Sequence, residues 1–95
     1  MEKKVYFQSG DITLSGRLHR GSKTGGVVIT HPHPLYGGNM FNSVVEAIGR
    51  VYRNSGWTTL RFNFRGVGES RGTYGEGGPE QEDVVAAVAC LQAAG

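Results

Sequence analysis

The chain has 95 residues, which suffices for one small domain that buries only about 60 to 65% of its unfolded surface. Ten Lys and Arg against eight Asp and Glu give a net charge of +2, and the basic residues are scattered. This excludes a basic stripe that could follow a phosphate backbone, so nucleic acid is not an expected partner. Neither a signal segment nor an apolar run of about 18 residues occurs, so no membrane partner is expected and a cytoplasmic protein is predicted. A single cysteine, Cys90, excludes an internal disulfide and is expected to be a small buried hydrophobe in a reducing compartment.

Three strands are predicted in the first third of the chain. Residues 5–7 and 12–18 have strand patterns around the turn Ser9-Gly10-Asp11, which indicates an antiparallel hairpin. Residues 27–30 form a short, continuous apolar run. Such a run is typical of a strand covered on both faces, so we expect it in the interior of the sheet.

A helix and a further strand follow. Apolar residues at helical spacing predict a helix over 41–52, with Ser43 and Glu46 as a capping box and an end at residues 54–56. Period-two alternation then predicts a strand over 58–64.

A glycine-rich loop, residues 65–78, follows, and Pro79 is predicted to begin a second helix. The first turn of this helix is acidic, which complements the helix dipole. Its predicted apolar face consists of Val84, Ala87, Val88 and Leu91.

The order of these elements predicts an α/β fold: a three-layer sandwich whose mostly parallel sheet carries an N-terminal antiparallel hairpin. Residues 1–95 are interpreted as one domain. The strand over 58–64 is expected to have an unpaired edge, which suggests that the domain is incomplete.

The first candidate functional segment is His-Pro-His-Pro-Leu-Tyr-Gly-Gly-Asn-Met, residues 31–40, between a strand and a helix, where open α/β sheets place their ligands. Prolines stiffen it and leave the backbone N–H groups of His33, Leu35 and Tyr36 as candidate donors. Gly37 and Gly38 permit close approach. Such donors suit an oxyanion, each contributing about 3 to 4 kcal/mol to the transition state.

The imidazoles in this segment allow two other interpretations. His31 and His33 have a spacing that can bind zinc, but no nearby Cys or acid supplies a third ligand, so no metal is predicted. We favour His31 as a buried, hydrogen-bonded anchor of the loop.

The second candidate segment, residues 65–72, contains Gly68, Ser70 and Gly72 in the G-x-S-x-G pattern of a nucleophile elbow. An elbow joins a strand directly to a helix, whereas Ser70 lies six residues after Phe64 and nine before Pro79. We therefore interpret Ser70 as a structural turn residue, and Arg65 as an anchor to an acid or carbonyl. The pair Gly66 and Gly68 also suggests a dinucleotide loop, but the third glycine and the directly following helix are missing.

Together these segments resemble a known family, small α/β hydrolases related to dienelactone hydrolase, over nearly the whole chain. The resemblance is carried by residues 31–42, by residues 60–70 and by Gly77, Glu80 and Asp83. It implies an oxyanion-loop donor near His33 or Leu35 and a purely structural second loop. The family's nucleophilic Ser, and then its Asp and His, would follow Gly95, so the chain resembles an N-terminal half that contains none of the triad.

Three functions follow as hypotheses. The first is a truncated serine hydrolase, inactive alone, whose complete family hydrolyses small ester or acyl substrates without a cofactor. The second is a non-catalytic module that completes its sheet with a second copy or a complementary C-terminal half. The third is a minimal hydrolase using Ser70 with His31 or His33 as base, which requires a hydroxyl to imidazole distance of about 2.6 to 3.2 Å.

Overall fold

A computed structural model describes residues 1–94, and Gly95, the last residue of the predicted domain, lies outside the described residues. The elements are β1 (Lys3–Ser9), β2 (Ile12–His19), β3 (Gly26–Ile29), a 3₁₀ turn (Pro34–Tyr36), α1 (Ser43–Asn54), β4 (Thr58–Phe62) and α2 (Glu80–Ala94). Every strand and α-helix predicted from the sequence is confirmed. Their bounds differ from the predicted ones by one or two residues at most ends.

The four strands form one mixed sheet in the order β1-β2-β4-β3. β1 pairs with β2 and β2 with β4 in antiparallel fashion, whereas β3 and β4 are parallel. The predicted unpaired edge beside residues 58–64 is therefore wrong, because β4 has a neighbour on each side and every one of its residues is buried. Among the described strands the free edges belong to β1 and β3.

The predicted interior position of residues 27–30 is also wrong. β3 ends at Ile29 and lies at the edge of the described sheet. A continuous apolar run indicates that both faces of a strand are covered, and it carries no information about whether both edges are paired.

The two helices cover opposite faces of the sheet. On one face, Leu60 and Phe62 of β4 pack in the core with Ala87 of α2. On the other face, Arg61 of β4 reaches Glu46 of α1 with a nitrogen to oxygen distance of 3.5 Å. The three-layer arrangement and the N-terminal hairpin are thus confirmed, although only one of the three strand pairs described is parallel.

The start of α1 differs from the predicted capping box. Asn42 is the N-cap, and its side-chain oxygen accepts a hydrogen bond from the Val44 N–H at 2.9 Å. Ser43 is already helical, and the Glu46 carboxylate faces Arg61 instead of returning to the helix start. Asn is as good an N-cap as Ser, so the sequence pattern alone did not separate them.

Helix α2 packs with only part of its predicted apolar face. Ala87 is fully buried, and Val84 and Leu91 pack against the core, whereas Val88 is 40% exposed. Cys90 is partly buried, and this burial raises the pKa of its thiol. Neither helix in residues 1–94 has the length and apolar character needed to cross a membrane.

Candidate active-site loops

The first loop, residues 31–42, leaves the carboxyl end of β3 and enters α1 through the 3₁₀ turn. The three backbone N–H groups predicted as oxyanion donors differ in their hydrogen-bond partners. The Leu35 N–H donates to His33 Nδ1 at 3.0 Å, and the Tyr36 N–H donates to the His33 carbonyl at 2.9 Å. Of the three predicted donors, only the His33 N–H has no hydrogen-bond partner within residues 1–94. The Leu35 and Tyr36 residues are each 82% exposed.

Two glycines bring this loop back toward the helix. Gly37 has a φ of +76° and its N–H donates to the Pro34 carbonyl at 3.1 Å. Gly38 lies so close to the Pro32 carbonyl that a Cβ atom there would overlap it. A side chain at position 38 would therefore displace the backbone of the predicted donor segment.

His31, the first residue of this loop, is buried. Its Nε2 accepts a hydrogen bond from the Phe64 N–H at 3.1 Å, and its Nδ1 donates to the Pro32 carbonyl at 2.8 Å. The ring also makes an edge contact with Phe64, with centroids 4.9 Å apart. Burial lowers the pKa of His31, so the ring is held neutral with both nitrogens bonded.

His33 connects the first loop to the loop that follows β4. Its Nε2 lies 2.9 Å from a carboxylate oxygen of Glu76, and its ring makes edge contacts with Tyr36 and Tyr74. Because Nδ1 accepts from Leu35, Nε2 carries the proton in the neutral ring and donates it to Glu76. Glu76 itself has a φ of +59°, an uncommon backbone conformation for a residue with a side chain.

These bonds bear on the zinc interpretation of the two imidazoles. All four ring nitrogens of His31 and His33 already have partners. In the described part of the chain, no group of three or more His, Cys, Asp or Glu side chains could hold a metal ion. The third ligand that zinc would need is not supplied by residues 1–94.

Ser70 lies in the second loop, residues 63–79, which joins β4 to α2. Its hydroxyl donates to the Asn63 carbonyl at 2.6 Å and accepts a hydrogen bond from the Ser15 N–H at 2.9 Å. Neither His31 nor His33 is a hydrogen-bond partner of this hydroxyl, so the Ser70–imidazole pair of the minimal-hydrolase hypothesis is wrong. The hydroxyl ties the loop to β2 and β4 instead.

Asn63 is the centre of the same buried polar cluster and was not identified as a site residue from the sequence. Its side-chain oxygen accepts from the Met40 N–H at 2.8 Å, and its backbone N–H donates to the Ser15 carbonyl at 2.9 Å. Gly68, with a φ of +54°, lies so close that a Cβ atom there would be 2.6 Å from the Asn63 amide nitrogen. The available signal was a polar Asn on the buried continuation of a strand.

Arg65 anchors the second loop to an acid, Asp83 in the first turn of α2. Its Nη2 lies 2.8 Å from Asp83 Oδ1, and its backbone N–H donates to Oδ2 at 2.9 Å. The Ser9 hydroxyl adds a third donor at 2.6 Å. Although burial opposes ionisation, the hydrogen bonds from Arg65 and Ser9 lower the pKa of Asp83, and Asp83 in turn raises the pKa of Arg65.

The acidic first turn of α2 therefore does more than complement the helix dipole. Glu80 is buried, and its carboxylate accepts from the Gly75 N–H at 2.6 Å and the Gly77 N–H at 2.8 Å. Gly66, at the start of the loop, has a φ of +77° and donates its N–H to the Arg71 carbonyl at 2.9 Å. The second loop is thus fixed at both ends by buried carboxylates and backbone bonds.

No protein-family model matches the chain. An uncharacterised protein of Rickettsia prowazekii is 38% identical over 91 residues, which are 94% of this chain and 38% of that protein. The solved structure of an α/β serine hydrolase homologue from Coxiella burnetii is 36% identical, covers 97% of this chain and 46% of its own, and gives a TM-score of 0.89. A lidless α/β serine hydrolase from Xanthomonas campestris is 30% identical over 97% of this chain and 44% of its own, with a TM-score of 0.84. The chain belongs to the α/β-hydrolase superfamily.

The chain spans less than half the length of the relatives it matches. An esterase from Pyrococcus furiosus, 24% identical, shares the fold with a TM-score of 0.87 over 98% of this chain and 36% of its own. The matched parts hold both loops described above. The finer relationship to dienelactone hydrolase stays a prediction.

Proposed function

We propose that this α/β hydrolase contributes the oxyanion loop to a serine hydrolase that cleaves carboxylic ester or related acyl bonds. The observation that carries the proposal is the first loop. It is an exposed, proline-stiffened turn at the carboxyl end of β3, in a chain 36% identical to a solved serine hydrolase homologue and 30% identical to a solved serine hydrolase. Ligands of open α/β sheets bind at this position. The reaction needs no cofactor.

The donors of this loop support a specific arrangement. The His33 N–H has no hydrogen-bond partner in the described chain, so it can donate directly to an oxyanion. The Leu35 N–H is held by His33 Nδ1 at 3.0 Å, so an oxyanion would have to replace that neutral acceptor. An anion is the stronger acceptor, and each donor would contribute about 3 to 4 kcal/mol to the transition state.

The proposal places the nucleophile outside residues 1–94. Ser70 uses its hydroxyl in two buried hydrogen bonds, and neither bonding partner is a base that could activate it. In the family that this chain resembles, the nucleophile stands at the end of the strand that follows α2. A second polypeptide segment would therefore have to pair with the sheet.

The free edge of β3 is suited to receive such a segment. The flank of α1 toward β1 and β2 is charged, with Arg53 bonded to Glu2 at 3.1 Å. The opposite flank of α1 is apolar and exposed at Val44, Ile48 and Val51, and α2 exposes Val85 and Val88. An unpaired edge strand with apolar helix surfaces is a template for a further strand, in this proposal a complementary C-terminal half.

A labelling experiment tests the proposal. We expect the purified chain to be unlabelled by a fluorophosphonate probe and inactive on p-nitrophenyl acetate. A chimera that joins residues 1–94 to the remaining part of the Coxiella burnetii homologue should be labelled, and Ser70→Ala in the chimera should leave the labelling unchanged. Labelling of the chain at Ser70 would contradict the proposal. So would a folded, unlabelled chimera whose Coxiella burnetii parent is labelled.

The second candidate is a non-catalytic module that pairs β3 with β3 of a second copy. The same exposed edge and apolar helix flanks favour it. Sedimentation equilibrium of the unlabelled chain separates the two. A stable dimer that is disrupted by Val51→Lys favours the module, whereas a monomer favours the incomplete hydrolase. In either case a cytoplasmic location is part of the proposal, since Cys90 is a free thiol.

A further inference from the structure

Two arginines lie side by side on β2 and β4 but differ in their partners. Arg17 and Arg61 are directly opposite in the antiparallel register, and both guanidinium groups lie over the Phe41 ring, 5.3 and 5.5 Å from its centroid. Arg61 is fully engaged. It bonds both carboxylate oxygens of Glu2 at 2.8 and 3.0 Å and the Met40 carbonyl at 2.7 Å.

Arg17 has no such acid. Its Nε is buried and makes no hydrogen bond with any atom of residues 1–94. Natural structures rarely leave a buried donor without an acceptor, and a guanidinium donor is especially costly to leave unpaired. The difference between two arginines on the same ring therefore indicates that an acceptor for Arg17 is missing from the described chain.

A cavity of about 240 Å³ lies beside Arg17. Met40, Phe41 and Val67 form apolar parts of its wall, and Asn39 and Asn63 contribute amides. Two further charged residues, Lys4 and Glu69, line the cavity and pair with each other at 2.9 Å. Arg17 is therefore the charged residue of the wall that has no salt bridge in the described residues. Pockets for drug-sized ligands have about 300 to 1,000 Å³, so this cavity suits a smaller molecule.

We propose that Arg17, stacked on Phe41, binds a small carboxylate in this cavity. Because Arg17 Nε is buried, the two terminal nitrogens of the guanidinium form the planar fork that matches the two oxygens of a carboxylate. The Phe41 ring fixes the plane of that fork. The site is separate from the oxyanion loop donors, and it stands whether or not the chain takes part in acyl hydrolysis.

The test is an NMR titration of the purified chain with propionate, observing the arginine Nε–Hε signals. We expect the Arg17 signal to shift and saturate with a Kd on the order of 1 mM. Propionamide, which has the same shape without the charge, should leave the signal unshifted, and so should sodium chloride at equal ionic strength. Arg17→Met should abolish the binding. Arg50→Met removes an exposed arginine of α1 and should leave the binding intact.

Several outcomes would overturn the proposal. These are no saturable shift of Arg17 in the wild-type chain, a shift that chloride reproduces, or propionate binding of wild-type strength in Arg17→Met. Far-UV circular dichroism checks the fold of each variant. Should Arg17→Met fail to fold, Arg17→Lys keeps the charge and loses the fork. It should bind propionate at least about tenfold more weakly, and unchanged binding by Arg17→Lys would contradict the site.

Discussion

The first loop and the second loop leave the carboxyl ends of two neighbouring parallel strands, yet they are held in different ways. The second loop is fixed by buried side chains of Asn63, Ser70, Glu80 and Asp83. The tip of the first loop is held by bonds within its own 3₁₀ turn and by contacts of His33 with Tyr74 and with Glu76, whose side chain is 76% exposed. The loop with the serine motif is therefore the rigid scaffold, and the loop without a nucleophile motif presents groups to solvent.

This difference shows that a match to a sequence motif does not establish the function of the residue in it. A nucleophilic hydroxyl must be accessible and next to a base, whereas Ser70 is buried and bonded to two backbone groups. A polar group buried in full hydrogen bonding stabilises structure. Loops that bind ligands are exposed and are positioned by such a scaffold.

The largest expected effect comes from cutting the scaffold at Asp83. Asp83→Ala removes a fully buried carboxylate and leaves the Arg65 N–H and the Ser9 hydroxyl without their acceptor. The Arg65 guanidinium keeps only its exposed partner Glu82 among the acids. Breaking a buried ion pair costs about 3 to 5 kcal/mol, and we expect a loss near 3 kcal/mol in the free energy of unfolding, measured by urea denaturation. Arg65 is partly exposed, which keeps the loss at the lower end of that range.

The matched control is Glu82→Ala in the same helical turn. Glu82 also contacts Arg65, at 3.1 Å, but its side chain is 62% exposed. An exposed ion pair of this kind is worth less than about 1 kcal/mol. Equal losses in Glu82→Ala and Asp83→Ala would mean that burial at Asp83 does not hold the second loop in place.

The sequence predicted most of this fold because its elements have strong local signals. The hairpin turn, the helical spacing of Val44, Ile48 and Val51, and the alternation through Phe62 are all readable without tertiary information. The free edges of the sheet were mispredicted, because the pairing of β2 with β4 depends on tertiary packing. The burial of a strand's faces leaves a periodic pattern in the sequence, whereas the pairing of its edges does not.

The candidate site was predictable in part for the same reason. Arg65 was expected to find an acid, but which acid depended on the packing of α2 against the β1–β2 turn. The acids Glu80 and Asp83 fitted equally well the general preference for negative charge at a helix start. The bond from the Leu35 N–H to His33 Nδ1 required a backbone conformation that proline spacing alone does not specify.

A smaller effect is expected from Ser70. Ser70→Ala removes the donor to the Asn63 carbonyl and the acceptor of the Ser15 N–H, both buried. Leaving such groups unsatisfied costs about 1 to 3 kcal/mol in the free energy of unfolding, again measured with urea. Ser55→Ala is the control, because the Ser55 hydroxyl donates to the Val51 carbonyl at an exposed helix end and should cost about 0.5 kcal/mol or less. If Ser70→Ala lowered the free energy of unfolding no more than Ser55→Ala does, the Ser70 hydroxyl would not be holding the second loop in place.

The smallest effect is expected at His31, one of the residues through which the two loops touch. Its ordinary pKa is 6.5, and burial lowers the pKa in the folded chain. Below pH 6.5 the unfolded chain therefore binds the proton more readily than the folded chain. His31 stabilises the fold fully above that pH, and this contribution is lost as the pH falls toward the folded pKa. We expect the free energy of unfolding, measured in urea titrations at successive pH values, to decrease as the pH falls below 6.5. The decrease should be smaller than the loss caused by Asp83→Ala or by Ser70→Ala.

His31→Gln should flatten this decrease, whereas His33→Gln should keep the part of it that is due to His31. A pH dependence that is the same in His31→Gln and the wild type would show that the contact from Phe64 to His31 does not depend on a neutral ring.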